Sequence, residues 1–128
     1  MILFLKGTYN GAATTLGVTI QGQTIIAVFK DAVRSGGSSQ LSLQLLEQRT
    51  VIHEIGHVLG LIGLGISASS SRHEDQAHPR HCSDPECVMY YAGDARADLS
   101  QFIERVLTHG DHIMFDSQCL RATQTYVP

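Results

Sequence analysis

Residues 50–60 read TVIHEIGHVLG, and the periodicity of this stretch decides the fold the chain can adopt. Ile52, Ile55, Leu59 and Ile62 recur at three- and four-residue steps, the spacing of one buried helical face. The pattern predicts a helix that starts near Ser39 or Ser42 and stops at about Gly60, a residue suited to ending helices. Val51 and Val58 extend the apolar surround, so the helix is expected to lie buried. His53 and His57 stand four positions apart, on one face and about one turn from each other. Two imidazoles so placed can reach one Zn²⁺ at roughly 2.0–2.1 Å. Glu54 sits beside the first of them, where its carboxylate can contact a water activated by that metal. Such a carboxylate takes the proton as water attacks a peptide carbonyl, then passes it to the leaving amine. The alternative is a helix with two chance histidines. Burying two imidazoles and a carboxylate without partners is costly, and a metal removes that cost. The motif therefore predicts a zinc centre with Glu54 as general base.

Upstream of this helix the sequence reads as strands. Ile2 to Lys6 reads as a short buried strand ended by Gly7. Leu16 to Gln21 and Thr24 to Lys30 are rich in Thr, Ile and Val and are separated by Gly22-Gln23, which suggests a hairpin. Val33 to Ser39 is polar and Gly-rich and reads as a loop. Downstream, Gly63 to Arg80 carries few large apolar residues and reads as a surface loop. Asp98 to Thr108 looks helical, with Phe102, Val106 and Leu107 inward, and Asp116 is placed to cap a last short helix. The expected fold is α+β, one domain over residues 1–128. Residues 1–60 would supply the sheet and central helix, and residues 61–128 the loops and short helices.

The bulk properties agree with a single packed domain: 128 residues, 43% hydrophobic, formal net charge −3. Weak acidity argues against a nucleic-acid or anionic-membrane partner, since both favour basic patches. No stretch has the form of a signal peptide, and none is long enough to span a membrane. The chain opens directly on strand-like sequence, which leaves room for an upstream region and leaves the compartment open.

Extended by three residues, the motif becomes His53-Glu54-x-x-His57-x-x-Gly60 and resembles the first part of the metzincin signature. The third histidine of that signature would fall at position 63, which here is Gly63. Further on, His81-Cys82-Ser83-Asp84-Pro85-Glu86-Cys87-Val88-Met89 resembles the archaemetzincin stretch H-C-x-x-x-x-C-x-M. The segment from Leu5 to Met89 is also similar to selecase-like minimal metallopeptidases, through Lys6-Gly7-Thr8-Tyr9 and Leu16-Gly17. The resemblance implies a zincin fold and a zinc-dependent peptidase, with His81 as third ligand and Met89 in the Met-turn beneath the metal. An insertion within Leu61 to Arg80 would delay that ligand. His73, Asp75 and His78 are rivals for its place. Tyr91, two residues past Met89, matches a tyrosine that aids the oxyanion in some metzincins such as astacins. Metzincin catalytic domains also place a strand and helix before the segment that begins here.

Cysteine usage leaves two alternatives. The chain has three cysteines, an odd number that cannot pair fully within the chain. Archaemetzincins hold a second zinc on four cysteines, and Phe115-Asp116-Ser117-Gln118-Cys119 resembles the last part of that set with Asp in place of one Cys. The resemblance implies a second, structural zinc on Cys82, Cys87, Asp116 and Cys119; zinc accepts carboxylate oxygen as well as thiolate. Otherwise Cys82 and Cys87 form a local disulfide, or Asp116 merely caps its helix.

Three functions compete on these grounds: a metzincin-type peptidase, a zinc-binding protein of the same fold that no longer cleaves, and a metal hydrolase of non-peptide amides. The intact Glu54 favours catalysis. The partner would be a peptide or protein, lying along an edge strand by main-chain hydrogen bonds, with Thr24 to Lys30 the candidate edge.

Overall fold

In the computed structural model, residues 1–20, 22–62, 73–91, 96–110 and 114–124 are described. Their organisation starts from Ile26–Phe29 (β3), four consecutive apolar residues that are all buried. A run buried on every side needs pairing at both edges, and β3 has it. Ile2–Leu5 (β1) pairs parallel to it, with Ile2 opposite Ile26. Gly17–Thr19 (β2) pairs antiparallel, with Gly17 opposite Val28. The strand order is therefore β1-β3-β2, a three-stranded mixed sheet in an α+β chain.

This order corrects one expectation. The stretch Thr24 to Lys30 supplies the central strand, so the strand edges lie at β1 and β2. The predicted hairpin forms as β2 and β3, although Gln21 lies outside the described residues. β1 forms where expected but is exposed along its length.

Lys30–Gly36 forms a short helix (α1), where a loop was expected from Val33 onward. The reason is local packing: Ala32 and Val33 are buried against the sheet core, and the Asp31 carboxylate accepts the Gly7 N–H at 2.9 Å. The Ser- and Gly-rich composition hides this single apolar turn.

Gln40–Leu59 forms the long helix (α2). Ser39 is its N-cap: its hydroxyl accepts the Ser42 N–H at 3.1 Å, while the Ser42 hydroxyl accepts the Ser39 N–H at 2.9 Å. Gly60, at φ 67° and ψ 32°, takes the left-handed conformation that ends the helix. The face this helix buries is not the expected one. Leu59 is 51% exposed, and Ile52 and Ile55 are only half-buried. Leu46, Arg49, Thr50, His53, Glu54 and Gly56 are buried instead. The sheet and the 73–91 segment cover the polar face, so the helix presents its chemistry inward.

Arg96–His109 (α3) brings Phe102 and Ile103 into the core shared by sheet and helices. Leu107, expected inward, is 51% exposed, whereas Val106 packs against that core. Ser117–Gln124 (α4) begins after Asp116, whose Oδ1 accepts the N–H groups of Gln118 and Cys119 at 2.7 and 2.6 Å. That is the cap the sequence predicts. A second apolar cluster, formed by Leu61, Ile62, Cys82, Cys87, Val88, Met89 and Cys119, sits past the end of α2. No helix among the described residues is long and apolar enough to cross a membrane.

Candidate functional site

The cap at Gly60 turns the chain sharply, and Leu61 donates its N–H back to the Gly56 carbonyl at 3.1 Å. Leu61 and Ile62 then enter the second core, over which residues 73–91 are laid. Cys82 donates its N–H to Met89 at 2.9 Å and Ser83 donates to His73 at 2.7 Å, closing this segment into a compact loop. The loop places His81 against the two histidines of α2. Ring centroids of His53 and His81 are 5.2 Å apart, and those of His57 and His81 are 5.1 Å apart. Potential ligand atoms of all three lie within 4.8 Å of one another, a group that could hold a metal ion.

Second partners fix how these rings are oriented. His53 Nδ1 lies 2.8 Å from the Val88 carbonyl, which can only accept, so Nδ1 carries the proton and Nε2 keeps the lone pair. His81 Nδ1 faces the carbonyls of Pro79 and His78 at 3.1 and 3.3 Å, with the same consequence. Metal-ligating histidines are oriented in this way by a carbonyl on the far nitrogen. Nε2 of His53 and Nε2 of His57 stand 3.1 Å apart. Two nitrogens on one tetrahedral zinc are about 3.3 Å apart, so this pair has the spacing of two ligands of one such ion. Burial also holds the imidazoles neutral, as ligation requires. It lowers His57 to about 4, with His81 and Arg80 adding repulsion, and pushes His53 well below the ordinary histidine range. His81 is lowered by burial too.

Glu54 is 5% exposed, and its Oε2 accepts the Thr19 hydroxyl at 2.7 Å. Burial raises its carboxyl pKa while the Thr19 hydrogen bond lowers it. Thr19 belongs to β2, and the close approach of β2 to α2 depends on Gly17: a Cβ there would fall 2.7 Å from Thr50 Cγ2 and 3.0 Å from Glu54 Cγ. Beneath the histidines, Met89 is fully buried against Gly56. Arg49, one turn before His53 and 3% exposed, donates to the Tyr90 carbonyl at 2.9 Å and lies over the Phe102 ring. Thus α2 grips the 88–90 segment at two points, through His53 and through Arg49.

The three histidines and Glu54 open on a cleft of about 530 Å³, lined on one side by β2 and on the other by Arg80, His81 and Tyr91. Tyr91 borders the cleft with its ring edge-on to His81 at 4.9 Å and stacked on His78 at 3.8 Å.

The rivals of His81 are held elsewhere. His78 Nδ1 pairs with Asp75 at 2.7 Å, and both are turned to the surface. His73 is 3% exposed and faces the sulfurs of Cys82 and Cys119 at 3.6 and 3.8 Å. It completes a second group that could hold a metal ion: His73, Cys82, Asp116 and Cys119. This differs from the expected set, in which Cys87 stood where His73 stands. Cys87 lies alongside, its Sγ 3.5 Å from Cys119 and accepting the N–H groups of Met89 and Asp116 at 3.4 Å. Hydrogen bonds from Cys119 and Cys82 hold its thiol well below the ordinary range. All three cysteines are free, so no disulfide joins Cys82 to Cys87. The sulfur of Cys82 points to Asp116 Oδ2, 3.1 Å away. Asp116 therefore serves as cap through one oxygen and faces the cluster through the other. Gly63 and the rest of residues 63–72, where the insertion is expected, lie outside the described residues.

Among the site residues the sequence reading missed, Arg49 was accessible: it shares a helical stripe with His53 and His57 at four-residue steps. Thr19 and Arg80 carry no such signal, because their roles come from long-range packing, and His73, a rival of His81 in the sequence, meets the cysteines for the same reason. No family model, no curated protein and no solved structure matches the chain. Its function is therefore argued from this geometry.

Proposed function

We propose that the chain is a zinc-dependent peptidase of metzincin type, with His53, His57 and His81 as zinc ligands and Glu54 as general base. The observation that carries this reading is the convergence of three neutral imidazoles at a cleft, with a buried carboxylate next to the first. Three protein ligands with one open position are the form of a catalytic zinc site, whereas structural sites are closed by four. When bound, zinc supplies Lewis acidity, activating water and polarising a carbonyl. Everything else falls to the chain. Glu54 accepts a proton from the attacking water and returns it to the leaving nitrogen, and Thr19 holds its carboxylate in place through the 2.7 Å hydrogen bond. Tyr91, which lines the cleft with its ring edge-on to His81, is the residue that would aid the developing oxyanion. Met89 packs beneath the ligands as the Met-turn residue. The exposed side of β2 offers an extended peptide the main-chain edge that β3 cannot.

The second cluster supports a structural zinc on His73, Cys82, Asp116 and Cys119. Its His–Cys separations of 3.6 and 3.8 Å fall near the roughly 3.6 Å between nitrogen and sulfur ligands of one tetrahedral zinc. His73 turns Nδ1 to the two sulfurs, and its Nε2 is buried without a hydrogen-bond partner among the described residues.

The test of the peptidase reading is cleavage of an unfolded protein by the zinc-loaded chain beside Glu54→Gln. Wild type should cut, a chelator should stop it, and added zinc should restore it. Equal cutting by the Gln variant would overturn the assignment of Glu54.

A further inference from the structure

Arg80 is the residue at the cleft whose chemistry the hydrolytic reading leaves unused. It immediately precedes His81 and is exposed at the cleft rim. It is the one non-glycine among the described residues with positive φ, at 69°. That conformation costs an ordinary residue about 1 kcal/mol or more. The cost is met on the backbone: the Arg80 N–H donates to Glu74 Oε1 at 2.7 Å, and the His81 ring closes onto the Pro79 and His78 carbonyls. The side chain takes no part in this. Its guanidinium makes no hydrogen bond or ion pair among the described residues.

The charge pattern of the cleft gives that guanidinium a purpose. Among the described residues of the lining Glu54 is the only acid, and it is engaged by Thr19. Arg49, the other cation, is buried and committed to the Tyr90 carbonyl. Arg80 lines the same cleft as Glu54, His57 and His81, so its charge faces a group bound there. A guanidinium presents a planar fork that matches a carboxylate through two parallel hydrogen bonds.

We propose that Arg80 is a specificity-determining residue that binds a substrate carboxylate close to the scissile bond, so that the preferred substrates are acidic peptides or peptides cut near a free C-terminus. This rests on the peptidase reading above. The two sources of carboxylate share one chemistry and differ in where the charge lies along the peptide.

The test uses quenched fluorescent peptides of one sequence carrying Glu or Gln at each position flanking the cut, each made with a free or an amidated C-terminus. Wild type should prefer the carboxylate-bearing member by about tenfold to a hundredfold in kcat/KM, mostly through KM. Dependence on Glu would identify an acidic side chain, and dependence on the free terminus would identify the terminal carboxylate. Arg80→Gln should bring the preferred peptide down to the level of its neutral partner, Arg80→Lys should fall between, and Arg80→Glu should favour a Lys-bearing peptide. A kcat loss in Arg80→Gln that is equal on charged and neutral peptides would overturn the proposal, because Arg80 would then act on Glu54 and not on substrate. The absence of any charge preference in wild type would also overturn it. Binding of the labelled peptides to zinc-loaded Glu54→Gln protein separates this from failure of the peptidase reading. Arg80-dependent binding of the carboxylate member without cleavage by wild type would sink the hydrolytic reading and leave the recognition intact. Equal binding of both members would sink the recognition.

Discussion

A Cβ built on Gly56 would fall 2.2 Å from Met89 Sδ, so the glycine inside the H-E-x-x-H motif is the seat on which the methionine packs. Met89 is fully buried there, with Phe115 against the same glycine. Gly56→Ala must therefore displace Met89 and the Val88 carbonyl that orients His53. Overpacking of this kind costs about 1–3 kcal/mol. The variant should melt several degrees lower and bind zinc more weakly, both measured by thermal unfolding with and without the metal. An unchanged melting temperature would mean that the two residues are not in this contact.

Thr19 tunes the proposed base. Its hydroxyl opposes the effect of burial on Glu54, and Val is close to Thr in shape but donates nothing. Glu54 must be ionised to accept a proton, so activity falls as pH drops through its pKa. Thr19→Val removes a lowering influence and should move the acidic limb of the kcat/KM profile to higher pH. A limb that stays put or moves lower would contradict the role given to Thr19.

Stability of the chelated chain should depend on pH through the same histidines. His57 titrates from an ordinary value of 6.5 when unfolded, but burial lowers it to about 4 in the fold. Between those values the unfolded chain takes up a proton that the folded chain refuses. Stability therefore falls as pH falls across that window, by about 3 kcal/mol from this group when complete. His53 acts in the same direction, and Glu54, with its raised carboxyl, acts against them. Urea titrations should show a shallower slope for His57→Gln than for wild type; equal slopes would mean that His57 is not held neutral by the fold.

His73 tests the second cluster. His73→Ala should remove about one zinc per chain and the cobalt-to-thiolate absorption of cobalt-loaded protein. Loss of that zinc should also destabilise the segment carrying His81, since Ser83 is tied to the His73 carbonyl and Cys82 to Met89. Full retention of the thiolate absorption would return the fourth position to Cys87.

What could be read from the sequence was whatever depends on near neighbours. The α2 span, its start near Ser39 or Ser42 and its Gly60 stop follow from spacing and from single residues. So does the Asp116 cap, whose two acceptor bonds are to residues two and three positions on. Strand order is a long-range property, and the apolar run at Ile26–Phe29 fits an edge and a centre equally until β1 and β2 are seen flanking it. The buried face of α2 was misjudged because apolar periodicity points to Ile52 and Leu59, whereas the fold buries Arg49, His53 and Glu54, each with a partner of its own. His73 stands out in the sequence as a possible ligand, but which cluster it joins was out of reach, because it meets Cys82 and Cys119 only through the folding of the 73–91 loop and α4.

Zinc content of the chain after full reconstitution, measured by elemental analysis on wild type and His81→Ala, tests the central claim most directly. The arrangement of His53, His57 and His81 predicts about two zinc ions in wild type and about one in the variant, with the thiolate absorption of the cobalt form kept. Wild-type zinc content in His81→Ala would contradict it, because the metal on His53 and His57 would then need a third ligand other than the one these rings converge upon.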